Sequence, residues 1–196
     1  AAVVARQLEP EVIAADREAR AALGVREALA SAGLLGLCLP RRFGGQGADY
    51  LALGLACEEL EVVDATLRVV LSVHLGLHAL GILQWGTDDQ QNRWLPPLAR
   101  GEQLGLFALT DEGAGSDPAR MASTARRDGD VYIVNGLKRW ISLAGDADQM
   151  LWIARTADGE PAHEHLSAFV IDAHAPGVTA QIIADKVGLR AMQTGT

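Results

Sequence analysis

Two short stretches hold the residue types that chemistry needs. LTDEGAGSD, Leu109 to Asp117, leads out of an apolar run into Gly113-Ala114-Gly115 and then Ser116. Without bulky side chains, the backbone N–H groups of such a loop can approach an anionic or carbonyl-rich ligand closely, and the Thr110 and Ser116 hydroxyls add directional donors. The same residues also suit a plain tight turn between strands. No Gly-Lys-Ser/Thr follows, so this is not a Walker phosphate loop, and it opens no helix in the manner of a dinucleotide-binding loop. The second stretch is LKRWISLA, Leu137 to Ala144. As a strand, it places Trp140 and Ser142 on one face and Ile141 on the other. An indole and a hydroxyl on one face suit a planar heterocycle with a ring nitrogen to bond, and equally suit a core Trp beside a solvated Ser.

The other candidates are scattered. Asp111, Glu112, Asp117 and Asp146 lie in or near these loops, where acidic residues ordinarily shape turns and stay solvated. His74 and His78 are four apart on one helix, a metal-compatible spacing, but no third ligand is evident. Core or interface histidines are expected there, and no metal site is assigned. His163-Glu164-His165 reads as a polar surface loop. Arg68 sits in an apolar helical run, where a guanidinium is costly unless paired, which points to a task or to an internal partner. Cys38 and Cys57 fall in apolar runs and read as small buried hydrophobes rather than a disulfide.

Two kinds of element must position these residues. Up to about Glu102, apolar residues recur at three- and four-residue spacings, first through EPEVIAADREARAALGVREALASAGLLGL. After the glycine-rich PRRFGGQGAD, Asp49 caps a helix over YLALGLACEELEVVD, and a third helix follows in ATLRVVLSVHLGLHALGILQWG. Thr87 caps a short charged turn, DDQQNRW, which Pro96-Pro97 ends. From Leu104 the pattern becomes short, partly alternating runs between turn signals: LGLFALT, ASTARR, VYIVN, LKRWISLA, MLWIART, LSAFVID and VTAQII. The expectation is an α+β protein, with an N-terminal all-α helical domain over residues 1–103 followed by an antiparallel β-barrel or sandwich domain over residues 104–196.

Composition narrows the classes. The 196 residues are 49% hydrophobic, with mean hydropathy +0.11, enough to bury a sizeable core. A formal net charge of -8, spread over both halves, offers no basic face to nucleic acid or an anionic membrane. Apolar stretches are broken by Gly, Arg or His short of the roughly 18 residues a membrane span needs, and AAVVARQLEPEV has no signal-peptide layout. With no disulfide expected, a cytoplasmic location follows. The start at Ala1 and the abrupt Gly195-Thr196 read as trimmed ends.

Taken in order, GLFALTDEGAGSD, NGLKRWIS, MLWIART and DKVGLRAMQTGT closely resemble the middle domain of the acyl-CoA dehydrogenase family. SAGLLGLCLPRRFGGQGADYLA, ACEELEVVDATLRVVLSVH and WGTDDQQNRWLPPLARGE resemble that family's helical domain, so the likeness covers nearly the whole chain. It implies FAD held between the middle domain and a C-terminal helical domain, with an acyl-CoA thioester against the flavin. The implied reaction is α,β-dehydrogenation to the trans-2-enoyl-CoA: a carboxylate removes the α-proton while the β-hydride passes to flavin N5.

Site residues follow from the resemblance position by position. Phe107 to Ser116, with Leu109 and Gly115 among them, match the family's FAD-contacting segment. Thr110 stands at the hydroxyl position near the flavin's pyrimidine side, and Ser116 at the serine that also meets the CoA substrate. Trp140, Ile141 and Ser142 match the Trp-Ile-Thr/Ser triplet that packs on the isoalloxazine and bonds its N5. Glu112 stands where Pro is usual, Phe107 where Tyr is often seen, and Leu143-Ala144 where Asn-Gly is frequent; none removes a group that flavin binding needs. Arg68 and the GSDP of Gly115 to Pro118 are similar to the glutaryl-CoA branch, in which an Arg reads the distal carboxylate.

The resemblance places the catalytic base on a C-terminal domain, so no catalytic residue is assigned within these 196 residues. The chain alone is expected to be inactive and to bind FAD weakly. The implied partners are the acyl-CoA substrate, an electron-transferring flavoprotein as acceptor, and further copies of the chain in a homodimer or homotetramer. A flavin oxidase or monooxygenase on the same scaffold, and a non-catalytic acyl-CoA or flavin-binding module, stay open on the residues alone.

Overall fold

The computed structural model describes residues 1–159 and 161–196. Helix α1 (Ala2–Glu18) turns Ala5, Leu8, Val12 and Ala15 inward at helical spacing and ends at Ala19, whose left-handed backbone (φ 51) stops it. A short break separates it from α2 (Val25–Ser31). Helix α3 (Tyr50–Glu61) starts where Asp49 accepts the Ala52 N–H at 2.9 Å. Asp64 caps the next helix in the same way, through the Thr66 N–H at 2.7 Å.

That next helix runs from Ala65 to Trp85. It comprises α4 (Ala65–Leu71), a π-helical stretch (Ser72–Ala79) and α5 (Leu80–Trp85). By length and composition alone it could cross a bilayer, which corrects the expectation that every apolar stretch is too short: Gly and His interrupt the run without lowering its hydropathy enough. It is mostly buried inside the structure and packs on the sheet, as a core helix does. Helix α6 (Asp88–Ala99) begins with a capping box between Thr87 and Gln90. Pro96 and Pro97 do not end it, contrary to expectation. Both lie inside the helix, and their carbonyls then accept from Arg100, Glu102 and Gln103 as the chain leaves it.

Five strands follow: β1 (Gly105–Ala108), β2 (Thr124–Asp128), β3 (Val131–Asn135), β4 (Gln149–Arg155) and β5 (Leu166–Asp172). The α+β class holds, but the sheet is mixed rather than antiparallel. β1 runs parallel to β4 with Gly105 opposite Gln149, and β2 meets β4 in parallel at Thr124 and Arg155. Only the β2–β3 and β4–β5 pairs are antiparallel. The short turn signals foretold hairpins; β1 and β4 are instead joined by a long excursion that brings the chain back in the same direction. The described strands form an open sheet centred on β4, not a closed barrel. It curls enough for Tyr132 of β3 and Phe169 of β5 to stack at 5.1 Å. LKRWISLA and VTAQII are not strands. The first is a turn with Trp140 and Leu143 at positive φ, and the second keeps only a bridge from Ile182 to Gly195.

The helical layer meets the sheet through two imidazoles. His74 and His78 project from the π-helical stretch and are fully buried. His74 Nδ1 accepts the Gly105 N–H at 3.1 Å, so its Nε2–H donates to the Leu98 carbonyl, 3.2 Å away. His78 donates Nδ1–H to the Leu106 carbonyl at 2.9 Å and sets Nε2 3.2 Å from the Gln149 side-chain amide. These are core histidines with backbone partners. Gly105 leaves room for them: a Cβ there would stand 2.2 Å from the His78 ring. The cysteines depart from expectation in being only half-buried, and both are free.

Burial drives the His74 pKa down to about 3, helped by His78 beside it, and burial also lowers that of His78. Both rings fold neutral, whereas an unfolded imidazole titrates near 6.5. Their contribution is therefore complete above pH 6.5 and is lost as pH falls from there toward 3, because the unfolded chain takes up protons that the folded chain refuses. Urea midpoints measured from pH 7.5 down to 5 should fall more steeply for the native protein than for a His74→Gln/His78→Gln variant. Parallel curves would show that the histidines fold charged.

Candidate functional site

A buried ion pair joins the two stretches singled out in the sequence. Lys138 Nζ lies 2.6 Å from Asp111 Oδ1, with both side chains 2% exposed. Asp111 was expected to be a solvated turn former; instead its carboxylate accepts four donors. Lys138 and the Ser123 hydroxyl (2.8 Å) reach Oδ1, while the N–H groups of Ala122 (2.8 Å) and Ser123 (2.6 Å) reach Oδ2. Lys138 also donates to the Leu109 carbonyl at 2.8 Å, meets Met121 Sδ at 3.9 Å, and lies over the Trp152 ring at 5.2 Å. Burial opposes both charges. For Asp111 it is outweighed by Lys138 and Ser123, which hold the carboxyl below its usual range; for Lys138 it outweighs Asp111 and lowers the ammonium. Ser123 approaches because Gly136 has no side chain: a Cβ there would fall 2.1 Å from Ser123 Oγ.

This network sets the two loops side by side. Phe107 lies on β1 opposite Leu151, and Leu109 follows the strand with its carbonyl on Lys138. Thr110 is half-buried, and its carbonyl accepts the Arg139 N–H at 2.8 Å. On the surface above, Glu112 pairs with Arg139 at 2.7 Å. Gly115 and Ser116 are exposed at the loop's far end, and Gly113 and Gly115 have open space where a Cβ would stand. Asp117 and Asp146 are exposed.

Trp140 and Ser142 do not alternate on a strand. Trp140 sits at φ 61, a region that a bulky L-residue rarely enters, and its indole is 65% exposed. Neighbouring bonds hold it there. Ile141, buried, exchanges both backbone hydrogen bonds with Gly195 at 2.9 Å, and the Ala144 N–H donates to the Gln193 carbonyl at 2.9 Å. Ser142 lies half-buried within the turn. Beside the turn opens a cleft of about 500 Å³ walled by Leu106, Lys138, Ile141, Ala144 and Trp152. The buried Trp152 Nε1–H has no hydrogen-bond partner among the described residues.

Arg68 is not brought to this cluster by any recorded contact. It lies on α4, about a third exposed, with Nε 2.5 Å from Glu61. The groups that the sequence reading missed are Lys138, whose role it did not consider, and Asp111, whose burial it did not foresee. Nothing in a linear pattern ties two charges 27 positions apart.

A family model described as acyl-CoA dehydrogenase, N-terminal domain, matches residues 1–102, and one described as acyl-CoA dehydrogenase, middle domain, matches residues 106–196. Among curated relatives, the mitochondrial short-chain specific acyl-CoA dehydrogenase of Bos taurus is 35% identical over 189 residues, covering 96% of this chain and 46% of that protein. A glutaryl-CoA dehydrogenase from Mycobacterium smegmatis, solved in complex with FADH2, superposes with TM-score 0.89 at 36% identity over 99% of this chain and 50% of its own. A chain from the work on the electron transferring flavoprotein of Acidaminococcus fermentans superposes with TM-score 0.93 at 34% identity, over 99% and 51%. The chain thus spans about half the length of the proteins it matches.

Replacing Trp140 by Gly removes a positive-φ penalty of about 1–2 kcal/mol and little packing, against a glycine entropy cost of about 0.5–1 kcal/mol. The ligand-free melting temperature of Trp140→Gly should stay within a few degrees of native. A fall beyond about 10 °C would show that the exposed indole packs on the protein itself.

Proposed function

Because the chain belongs to the acyl-CoA dehydrogenase family, we propose that it supplies the flavin-facing wall of an FAD-dependent enzyme that oxidises an acyl-CoA thioester to the 2-enoyl thioester. The observation that carries this reading is the pairing of an exposed indole, held on strained backbone, with a glycine-lined loop an ion pair away. An exposed aromatic plane, the Thr110 and Ser142 hydroxyls, and uncrowded N–H groups at Gly113 and Gly115 fit a planar, hydrogen-bonding, anionic group such as FAD.

When bound, FAD supplies the acceptor for the hydride lost from the substrate's β-carbon. This chain's residues bind and orient. Trp140 and Ile141 back the isoalloxazine, while Ser142 and Thr110 donate hydrogen bonds to it. Phe107, Leu109 and Gly115 complete that contact, and Ser116 faces the CoA thioester. No carboxylate within these residues is assigned as the base. Electrons pass onward to an electron-transferring flavoprotein, and the working protein is a homo-oligomer.

The test is a visible spectrum of the protein, expressed from its whole reading frame and loaded with FAD, under anaerobic titration with saturated acyl-CoA thioesters of differing chain. Bleaching of the flavin band by at least one thioester is expected. A band that no thioester bleaches would contradict the reading.

Arg68 is the sequence's candidate for reading a distal substrate carboxylate, and its bond to Glu61 says what that substrate must do: exchange one carboxylate for another. If Arg68 performs this role, Arg68→Met lowers kcat/KM at least tenfold for a dicarboxylic monothioester and leaves a straight-chain monoacyl thioester within about twofold. Equal losses on both would assign Arg68 to helix packing.

A further inference from the structure

We infer that the buried Asp111–Lys138 pair is a positioning device that sets the spacing between the Thr110 hydroxyl and the Trp140–Ser142 turn, and thereby the affinity for the flavin those groups face. The inference rests on the reading above for the flavin, but its geometry is independent of it. Asp111 directly follows Thr110, and Lys138 precedes Trp140 by two residues, so each charge is anchored next to a proposed contact.

The pair acts with two backbone bonds on the same seam, the Arg139 N–H to the Thr110 carbonyl and Lys138 to the Leu109 carbonyl. Side-chain length and bond count leave the seam little freedom: Asp111 is fixed by Ala122 and Ser123 from below, and Lys138 is fixed over Trp152. A pair needed only for stability could be replaced by apolar groups at small cost. Here the ammonium also spans from the Leu109 carbonyl to the Asp111 carboxylate, which clamps the residues on both sides of Thr110.

Removing one partner alone strands a buried charge and can unfold the chain, so the informative variant is Asp111→Asn/Lys138→Met, which removes both. Two quantities are read on the protein expressed from its whole reading frame: amide hydrogen exchange at Arg139 and in β4, and FAD affinity by fluorescence titration of the apoprotein. The expected result keeps β4 protection within about threefold of native, exposes the Arg139 amide at least tenfold faster, and weakens FAD binding at least tenfold. Unchanged Arg139 protection overturns the inference. So does loss of β4 protection together with FAD affinity, which would make the pair merely structural, and so does native FAD affinity in a variant whose Arg139 amide is freed. If the native protein binds no FAD while Arg139 is still deprotected in the variant, the flavin reading falls and the spacing role stands.

Discussion

A charge pair taken out of water constrains its surroundings more than any apolar contact, because every remaining proton and lone pair must be met at once. Asp111 and Lys138 are such a pair, and the β-region around them is shaped by meeting their needs. The carboxylate requires the backbone N–H groups that start β2, which fixes where the chain re-enters the sheet after the glycine loop. The ammonium requires the carbonyl that ends β1, which holds the chain ahead of Trp140 against that strand. With both demands met, the turn carrying Trp140 is left at the surface in a conformation it would not adopt alone.

The seam between helices and sheet obeys the same rule with neutral groups. His74 and His78 reach polar backbone at Leu98, Gly105 and Leu106 that would otherwise be buried without those bonds, and burial in turn keeps both rings uncharged. The π-helical turn that carries them and the bare Cα of Gly105 that admits them are parts of one fit. Helical layer and sheet are thereby locked in register, so Arg68 on α4 and the loops above β1 hold fixed relative positions.

Much of this was legible in the sequence where local physics decides. Asp49 and Thr87 cap the helices their spacing announced, and the runs LGLFALT, VYIVN, MLWIART and LSAFVID became strands. What failed needed information from far along the chain. Strand direction failed because β1 and β4 pair across an excursion that contains a whole hairpin. LKRWISLA has a strand's composition, but the Ile141 bridge to Gly195 and the Lys138 bond to Asp111 bend it into a turn. Asp111 looked solvated because its four donors come from residues 122, 123 and 138. The Trp-Ile-Ser triplet was nonetheless found, since its residue types, rather than its backbone, carried the resemblance.

The account stands on the claim that the Thr110 loop and the Trp140 turn form one wall for the flavin. A crystal structure of the FAD complex measures this directly. The account predicts the isoalloxazine within van der Waals contact of the Trp140–Ile141 segment, with the Ser142 and Thr110 hydroxyls at hydrogen-bond distance from its ring atoms and the Asp111–Lys138 bond intact beneath it. A flavin bound elsewhere on the protein, with the Trp140 indole still facing solvent, would contradict it.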